Sequence, residues 1–304
     1  MRVSGLTLGY QAVTNGYQVG ECIRSMLPIV DEVVANIGAS DDGTREAVLA
    51  AGRDKVRLLT EPWDLSLREK GLLLSRETNR GMERCTGDWV LYLQADEVLH
   101  EDDLGRLGEW MERAGRDPRI DGLSFRYLHF YGSPRWVQDH PFRWYRRAVR
   151  AVKNGRGVVS VGDALKFRRR VEDRRSPAHR RMAGGRSLRV RAMATDVTVY
   201  HYGWMRPPEV MVRKQKHLDR FWHADGEIEK RYSAVSAATI YGDLGHLREF
   251  RGTHPAVMAE KVGSANWEFE SRAGSQAPRW LRWLGYFTAY PLARLLGRAR
   301  RAKV

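Results

Sequence analysis

The sequence predicts an α/β fold: an open, mostly parallel sheet flanked by helices, followed by a C-terminal helical extension. Two observations carry this expectation. Short apolar or β-branched runs recur with helical text between them, and such alternation requires crossover connections. The chain also has material for a large core, since 42% of its 304 residues are hydrophobic and 29% charged, a globular balance.

Val3 to Tyr10 is the first strand. Glu21 to Leu27 follows with helical spacing until Pro28 stops it. Glu32 to Ile37, EVVANI, is a short run bounded by turn residues, as a buried parallel strand requires. Ser40 to Thr44 supplies a turn and helix cap, and Arg45 to Ala51 the next helix. Val56 to Thr60 is a third strand, Leu67 to Glu83 a third helix, and Trp89 to Leu93 a fourth strand. Ligands are then expected beyond the strands' carboxyl ends.

Past Pro118 the texture changes. Gly122 to Tyr131 alternates as a strand does, and Trp144 to Ser160 reads as further strand and turn. Arg168 to Arg191 reads as a mobile basic loop, Val197 to Tyr202 as a last strand and Pro208 to His223 as a helix. The expected organisation is a catalytic domain over 1–220, with halves 1–110 and 111–220, and a helical extension over 221–304 ending in a basic, Trp-rich tail.

Charge divides the chain the same way. Residues 1–110 hold 12 Lys/Arg against 19 Asp/Glu, whereas residues 111–304 hold 40 against 18. The basic part is either a solvated surface or a seat for an anionic substrate, an anionic membrane or nucleic acid. Cys22 and Cys85 stand far apart, which supports neither a disulfide framework nor a cysteine zinc site and points to a cytoplasmic chain. The longest uncharged stretch of the tail, Trp283 to Ala293, is too short to span a bilayer, where a helix needs about 20 residues. Its composition instead suggests that 278–304 attaches peripherally to the inner face of a membrane.

Gln94-Ala95-Asp96-Glu97 follows an apolar strand directly, which puts carboxylates at the mouth of the sheet. Two adjacent acids there repel unless a cation joins them. Mg²⁺ or Mn²⁺ would accept their oxygens and leave positions for a diphosphate. The competing reading is a helix start at Glu97 to Asp103, acid-rich only to complement the helix dipole.

The ordered series EVVANIGASDDGT and ETNRGMERCTGDWVLYLQADE resembles the nucleotide-binding half of glycosyltransferase family 2, inverting enzymes of GT-A fold. YLHFYGS, WYRR, SVGDA and HYGWMRPPEVMVRKQ extend the resemblance to a branch of that family over roughly 1–220. It implies transfer of a sugar from a nucleotide-diphosphate donor to a glycan or lipid-linked acceptor, with a divalent metal as cofactor and no nucleic-acid partner. By position it implies donor contacts at Leu8, Tyr10, Gln11, Asp42, Asn79, Gln94, Ala95, Asp96 and Arg206, and metal ligands at Asp96, Glu97 and His201.

Two departures from the family pattern stand out. Gln94 replaces the first acid of Asp-x-Asp, and Ile37 and Gly38 stand where the family often carries paired acids, one of which reads the base. Arg213 and Lys214 are further candidates for the diphosphate, and Trp136, Trp144 and Tyr145 for stacking on a sugar. Inverting transfer also needs a base for the acceptor hydroxyl. Asp163 is the first candidate and Asp139 the second, with a backbone-bonded turn residue as the alternative for Asp163. The competing function is a basic nucleic-acid-binding protein without transferase activity, although no recognition module is present. No phosphate-loop or dinucleotide glycine motif appears either.

Overall fold

The structure is a computed structural model that describes residues 1–68, 71–140, 144–170, 187–241, 246–267 and 269. Its first half is the expected crossover unit. Strands β1 (Val3–Leu8), β2 (Glu32–Asn36), β3 (Val56–Leu59) and β4 (Trp89–Tyr92) are parallel in the order β3-β2-β1-β4. Helices α1 (Val19–Met26), α2 (Thr44–Gly52) and α3 (Leu72–Met82) connect them. Every residue of β1 and β4 is buried, the condition of a parallel strand covered on both faces. α1 turns Val19, Cys22, Ile23 and Met26 inward at helical spacing, so one stripe of the helix covers the sheet. α3 begins at Leu72 rather than Leu67, after Gly71 at φ +73°.

Beyond β4 the sheet turns antiparallel. After β5 (Glu97–Leu99) and α4 (Leu104–Gly115) come β6 (Gly122–Tyr131), β7 (Ser133–Gln138) and β8 (Arg147–Lys153). β8 lies antiparallel to both β4 and β6, which welds the two halves into one sheet. β9 (Val158–Val161), β10 (Lys166–Arg170) and β11 (Ser187–Arg189) form a separate small sheet. The ends of the basic stretch expected as a loop are therefore paired strands, and its middle, 171–186, lies outside the described residues. The acid-rich run from Glu97 divides: Glu97–Leu99 pair with the later strand Ala192–Trp204, whereas Glu101–Asp103 form a helical turn that leads into α4, so only the second part of the run is a helix start.

β12 (Ala192–Trp204) runs parallel to β6 and antiparallel to β5, so its register sets His201 beside both Glu97 and His129. It is followed by α5 (Pro208–Asp219), α6 (Asp225–Tyr232), β13 (Leu247–Glu249) and α7 (Ala259–Gly263). β12 is thus not the last strand. β13 pairs with β7 at the sheet edge, and Met258 and Tyr241 enter the cores over β6 and β12. The boundary expected at 220 falls inside this packing, since apolar side chains from 221–258 complete the same cores. The tail 278–304 lies outside the described residues. Among the described residues, no helix is long and apolar enough to cross a membrane.

Candidate active site

The loop after β4 delivers its two acids to different places, because Gln94 to Glu97 form a turn closed by the Glu97 N–H on the Gln94 carbonyl at 2.9 Å, with Asp96 inside the turn and Glu97 opening β5. Glu97 turns into the protein. Its carboxylate meets Arg150 of β8 in a two-armed pair at 2.7 Å for each contact, with both side chains fully buried. The Tyr127 hydroxyl donates to it at 2.9 Å and the Gln94 backbone N–H at 3.0 Å. Glu97 was expected to bind a metal; its oxygens are instead consumed by a guanidinium and two further donors.

Asp96 turns the other way. Lys214 of α5 donates from Nζ to its Oδ2 at 2.9 Å and to the Gly203 carbonyl at 2.7 Å. Burial pushes the Asp96 carboxyl up, but Lys214, His201 and Arg206 outweigh it and hold it well below the usual carboxylate range. Burial and the neighbouring Arg206 bring Lys214 down to about 8, against the pull of Asp96. Both cations also lie over the ring of Tyr17, with Arg206 Cζ at 5.1 Å and Lys214 Nζ at 4.6 Å from its centroid.

His201 reaches the same carboxylate from β12, its Nε2 lying 3.6 Å from Asp96 Oδ1. Its other nitrogen is fixed by a chain of hydrogen bonds. His129 Nε2 is 2.7 Å from the Tyr145 carbonyl, which only accepts, so that nitrogen carries the proton. Burial, with His201 adding, lowers His129 to about 3, and the neutral ring leaves Nδ1 as an acceptor. His201 therefore donates from Nδ1 across 2.9 Å and presents Nε2 to the site. Gly203 explains itself here, because a Cβ at that position would stand 2.5 Å from His201 Nε2 and 2.9 Å from Asp96 Oδ2.

These groups open on a cavity of about 350 Å³ at the carboxyl ends of β1 and β4. Gln94, Ala95 and Asp96 line one side, and Lys214, His217 and Phe221 from α5 and its C-terminal end another. Tyr10 is stacked between Trp63 and His217, with ring centroids at 5.4 and 5.7 Å. Three buried polar atoms on lining residues have no hydrogen-bond partner among the described residues: the Tyr92 hydroxyl, Trp144 Nε1 and His217 Nε2. Asp163 lines the cavity from the exposed turn between β9 and β10. Gly71 packs against that turn so closely that a Cβ would come within 2.7 Å of the Asp163 Cα.

The sequence profile described as glycosyl transferase family 2 matches residues 17–175, more than half of the chain. The chain belongs to glycosyl transferase family 2. This family-2 chain matches no curated protein. Solved structures similar to it include S. aureus TarS, at 12% identity and TM-score 0.40, with 90% of this chain and 45% of that chain covered. The S. aureus TarS 1–349 complex with UDP-GlcNAc is 12% identical at TM-score 0.39, covering 79% of this chain and 74% of that one. The Mycobacterium tuberculosis glucosyl-3-phosphoglycerate synthase complex with Mg²⁺ and UDP is 16% identical at TM-score 0.30, covering 43% of each chain. The family-2 chain thus spans less than half the length of the full TarS structure.

Of the donor positions that the resemblance implied, Leu8, Tyr10, Gln94, Ala95 and Asp96 line the cavity of this family-2 chain. Gln11 lies in an adjoining cavity and binds Ser40 and Asp41. The others hold the frame. Asp42 accepts from the backbone of Thr14 and Thr44, closing the turn before α2. Asn79 exchanges two hydrogen bonds with the backbone of Ser160 and pins β9 to α3. Arg206 is buried behind the wall, bonded to the carbonyls of Asn15, Tyr202 and Gly203. Asp139 follows β7, its N–H on the His246 carbonyl, and does not line the cavity.

The residues that sequence reasoning missed are Arg150, Tyr17, Trp63 and His217. For Arg150 a signal exists, since an acid destined for an apolar interior demands a counterion and RAVRAVK carries an arginine within a strand. A divalent metal fits this site poorly. Gln94 is neutral, Glu97 is consumed and Asp96 is already paired with an ammonium, so of the expected ligands only His201 Nε2 and Asp96 Oδ1, 3.6 Å apart, still face the cavity. Among the described residues, no three His, Cys, Asp or Glu side chains group as metal ligands would.

Proposed function

We propose that the chain transfers a sugar from a nucleotide-diphosphate donor to an acceptor hydroxyl, with inversion at the anomeric carbon, in glycan or cell-envelope polysaccharide synthesis. Family membership supports the reaction class over a nucleic-acid-binding role. The observation that carries the reading is the cavity at the carboxyl ends of β1 and β4, walled by aromatic rings and bordered by Asp96, His201 and Lys214. Aromatic faces beside a few charged groups are the lining that a sugar ring joined to a diphosphate fits.

In this reading the diphosphate lies toward Lys214, and the sugar lies among Tyr92, Trp144 and Trp204. Asp163 takes the acceptor's proton as its oxygen bonds the anomeric carbon and the bond to the diphosphate breaks on the opposite face. His201, oriented by His129, donates to or accepts from the donor through Nε2. Attachment to an anionic membrane through 278–304, at the inner face where a lipid-linked acceptor would lie, is supported by composition alone. Co-sedimentation with anionic liposomes, with and without 278–304, tests it, and equal soluble fractions would refute it.

The test of the main reading is turnover against a panel of nucleotide sugars, with proton NMR of the product's anomeric configuration. Transfer with inverted configuration supports it. A retained configuration removes the assignment of inversion and of Asp163 as base, and no turnover of any donor overturns the transferase reading.

A further inference from the structure

We propose that the Lys214 ammonium occupies the role of a divalent metal, so that protein cations alone hold the donor's diphosphate. The inference rests on the nucleotide-sugar reading above and specifies how that site binds its anion.

Charge counting comes first. The strand-end acids amount to a single available carboxylate, because Glu97 is neutralised by Arg150 inside the protein. Against Asp96 stand two buried cations, Lys214 at 4% exposure and Arg206 at 2%. One positive charge is left over, and an uncompensated buried charge is costly unless an anion joins it. Arg206 shows the same shortage at the level of one atom, because its Nη2 is buried with no hydrogen-bond partner among the described residues. An arrangement built to capture a cation would carry the opposite surplus.

Position gives the second argument. Lys214 Nζ sits 2.9 Å from Asp96 Oδ2, on the one carboxylate of the strand end that is not spent inside the protein, and lines the cavity. Two of its three donors are spent on Asp96 and the Gly203 carbonyl. The remaining one is available to a phosphate oxygen. A divalent ion placed on Asp96 would lie within contact range of this ammonium, and like charges at that distance repel strongly. Gln94 completes the argument: where the family pattern has an acid that attracts a metal, this chain carries a neutral amide on the cavity wall.

The third argument is support. Lysine is a compact point charge on a flexible stem, so it serves as a cation site only where its surroundings fix it. Here the Gly203 carbonyl, Asp96 and the Tyr17 ring hold it, and Gly203 has no side chain to interfere.

The test uses the full chain and the nucleoside diphosphates UDP, GDP, CDP, ADP and dTDP as probes. Binding is followed by calorimetry in excess EDTA and again with Mn²⁺. The expected result is that at least one probe binds with the same Kd in both conditions, within about twofold. Lys214→Met should weaken that binding by about tenfold or more, the scale of one charge-assisted contact, without rescue by Mn²⁺. Binding that appears only with Mn²⁺ overturns the inference and leaves the transferase reading intact. Absence of binding for every probe in both conditions overturns both. The wild-type comparison stands even if the variant fails to fold.

Discussion

His201 and His129 face one another through their Nδ1 atoms, 2.9 Å apart, and the Tyr145 carbonyl decides which of them holds the shared proton. Because His129 is held neutral down to about pH 3, its ordinary value near 6.5 belongs to the unfolded chain only. The unfolded state therefore takes up the proton first as pH falls. Stability from this group is complete above pH 6.5 and is lost progressively between 6.5 and 3. Urea unfolding at pH 7 and pH 5 should show a fall in wild type about 2 kcal/mol larger than in His129→Gln. Equal falls would mean that the histidine does not titrate as its burial requires.

The Arg150–Glu97 pair predicts a non-additive double-mutant cycle. Arg150→Met alone strands a carboxylate in a fully buried place and should cost about 3–5 kcal/mol. Adding Glu97→Gln should recover much of that loss, since an amide needs no counterion. Additive losses in denaturant melts would show that the two side chains do not act as a unit.

Gly203→Ala should damage the site more than the fold. The new methyl would stand against His201 Nε2 and Asp96 Oδ2, while β12 keeps its pairing with β6. We expect thermal unfolding to shift by a few degrees and nucleoside diphosphate affinity to drop by tenfold or more. A variant that binds as wild type does would remove the tight His201–Asp96–Lys214 packing from the account.

Asp163→Asn should lower kcat by about 10²- to 10⁴-fold, the range for loss of a general base, with donor affinity unchanged. Gly71→Ala gives a second handle, since it displaces the turn without altering the carboxylate. Both changes should affect transfer and spare nucleoside diphosphate binding. A loss of binding in Asp163→Asn would assign the residue to the donor instead.

The parallel half was legible because strands buried on both faces read as continuous apolar runs, as VSGLTL and WVLY do. Asp96 was legible for the same reason, standing one turn beyond such a strand. The fate of Glu97 was legible only as the demand for a counterion, and the pairing itself was not, since Arg150 lies 53 positions away in RAVRAVK. Lys214 was legible as a candidate for the diphosphate, but not its contact with Asp96, since PEVMVRKQKHLD does not tell which of its cations the tertiary fold buries. Asn79 and Arg206 held family-like positions in the text but spend their hydrogen bonds on backbone. Nothing in local sequence reveals where a side chain's donors go.

The antiparallel seam between β4 and β8 also bears on how the chain is made. During synthesis the parallel strands emerge first, and β4 presents an unpaired edge until Arg147–Lys153 has left the ribosome and docked. Over that interval the nascent chain carries an open, fully apolar strand and an acid awaiting its arginine. Fragments ending before residue 153 should therefore accumulate as aggregates, and chaperone demand should peak in that window of elongation.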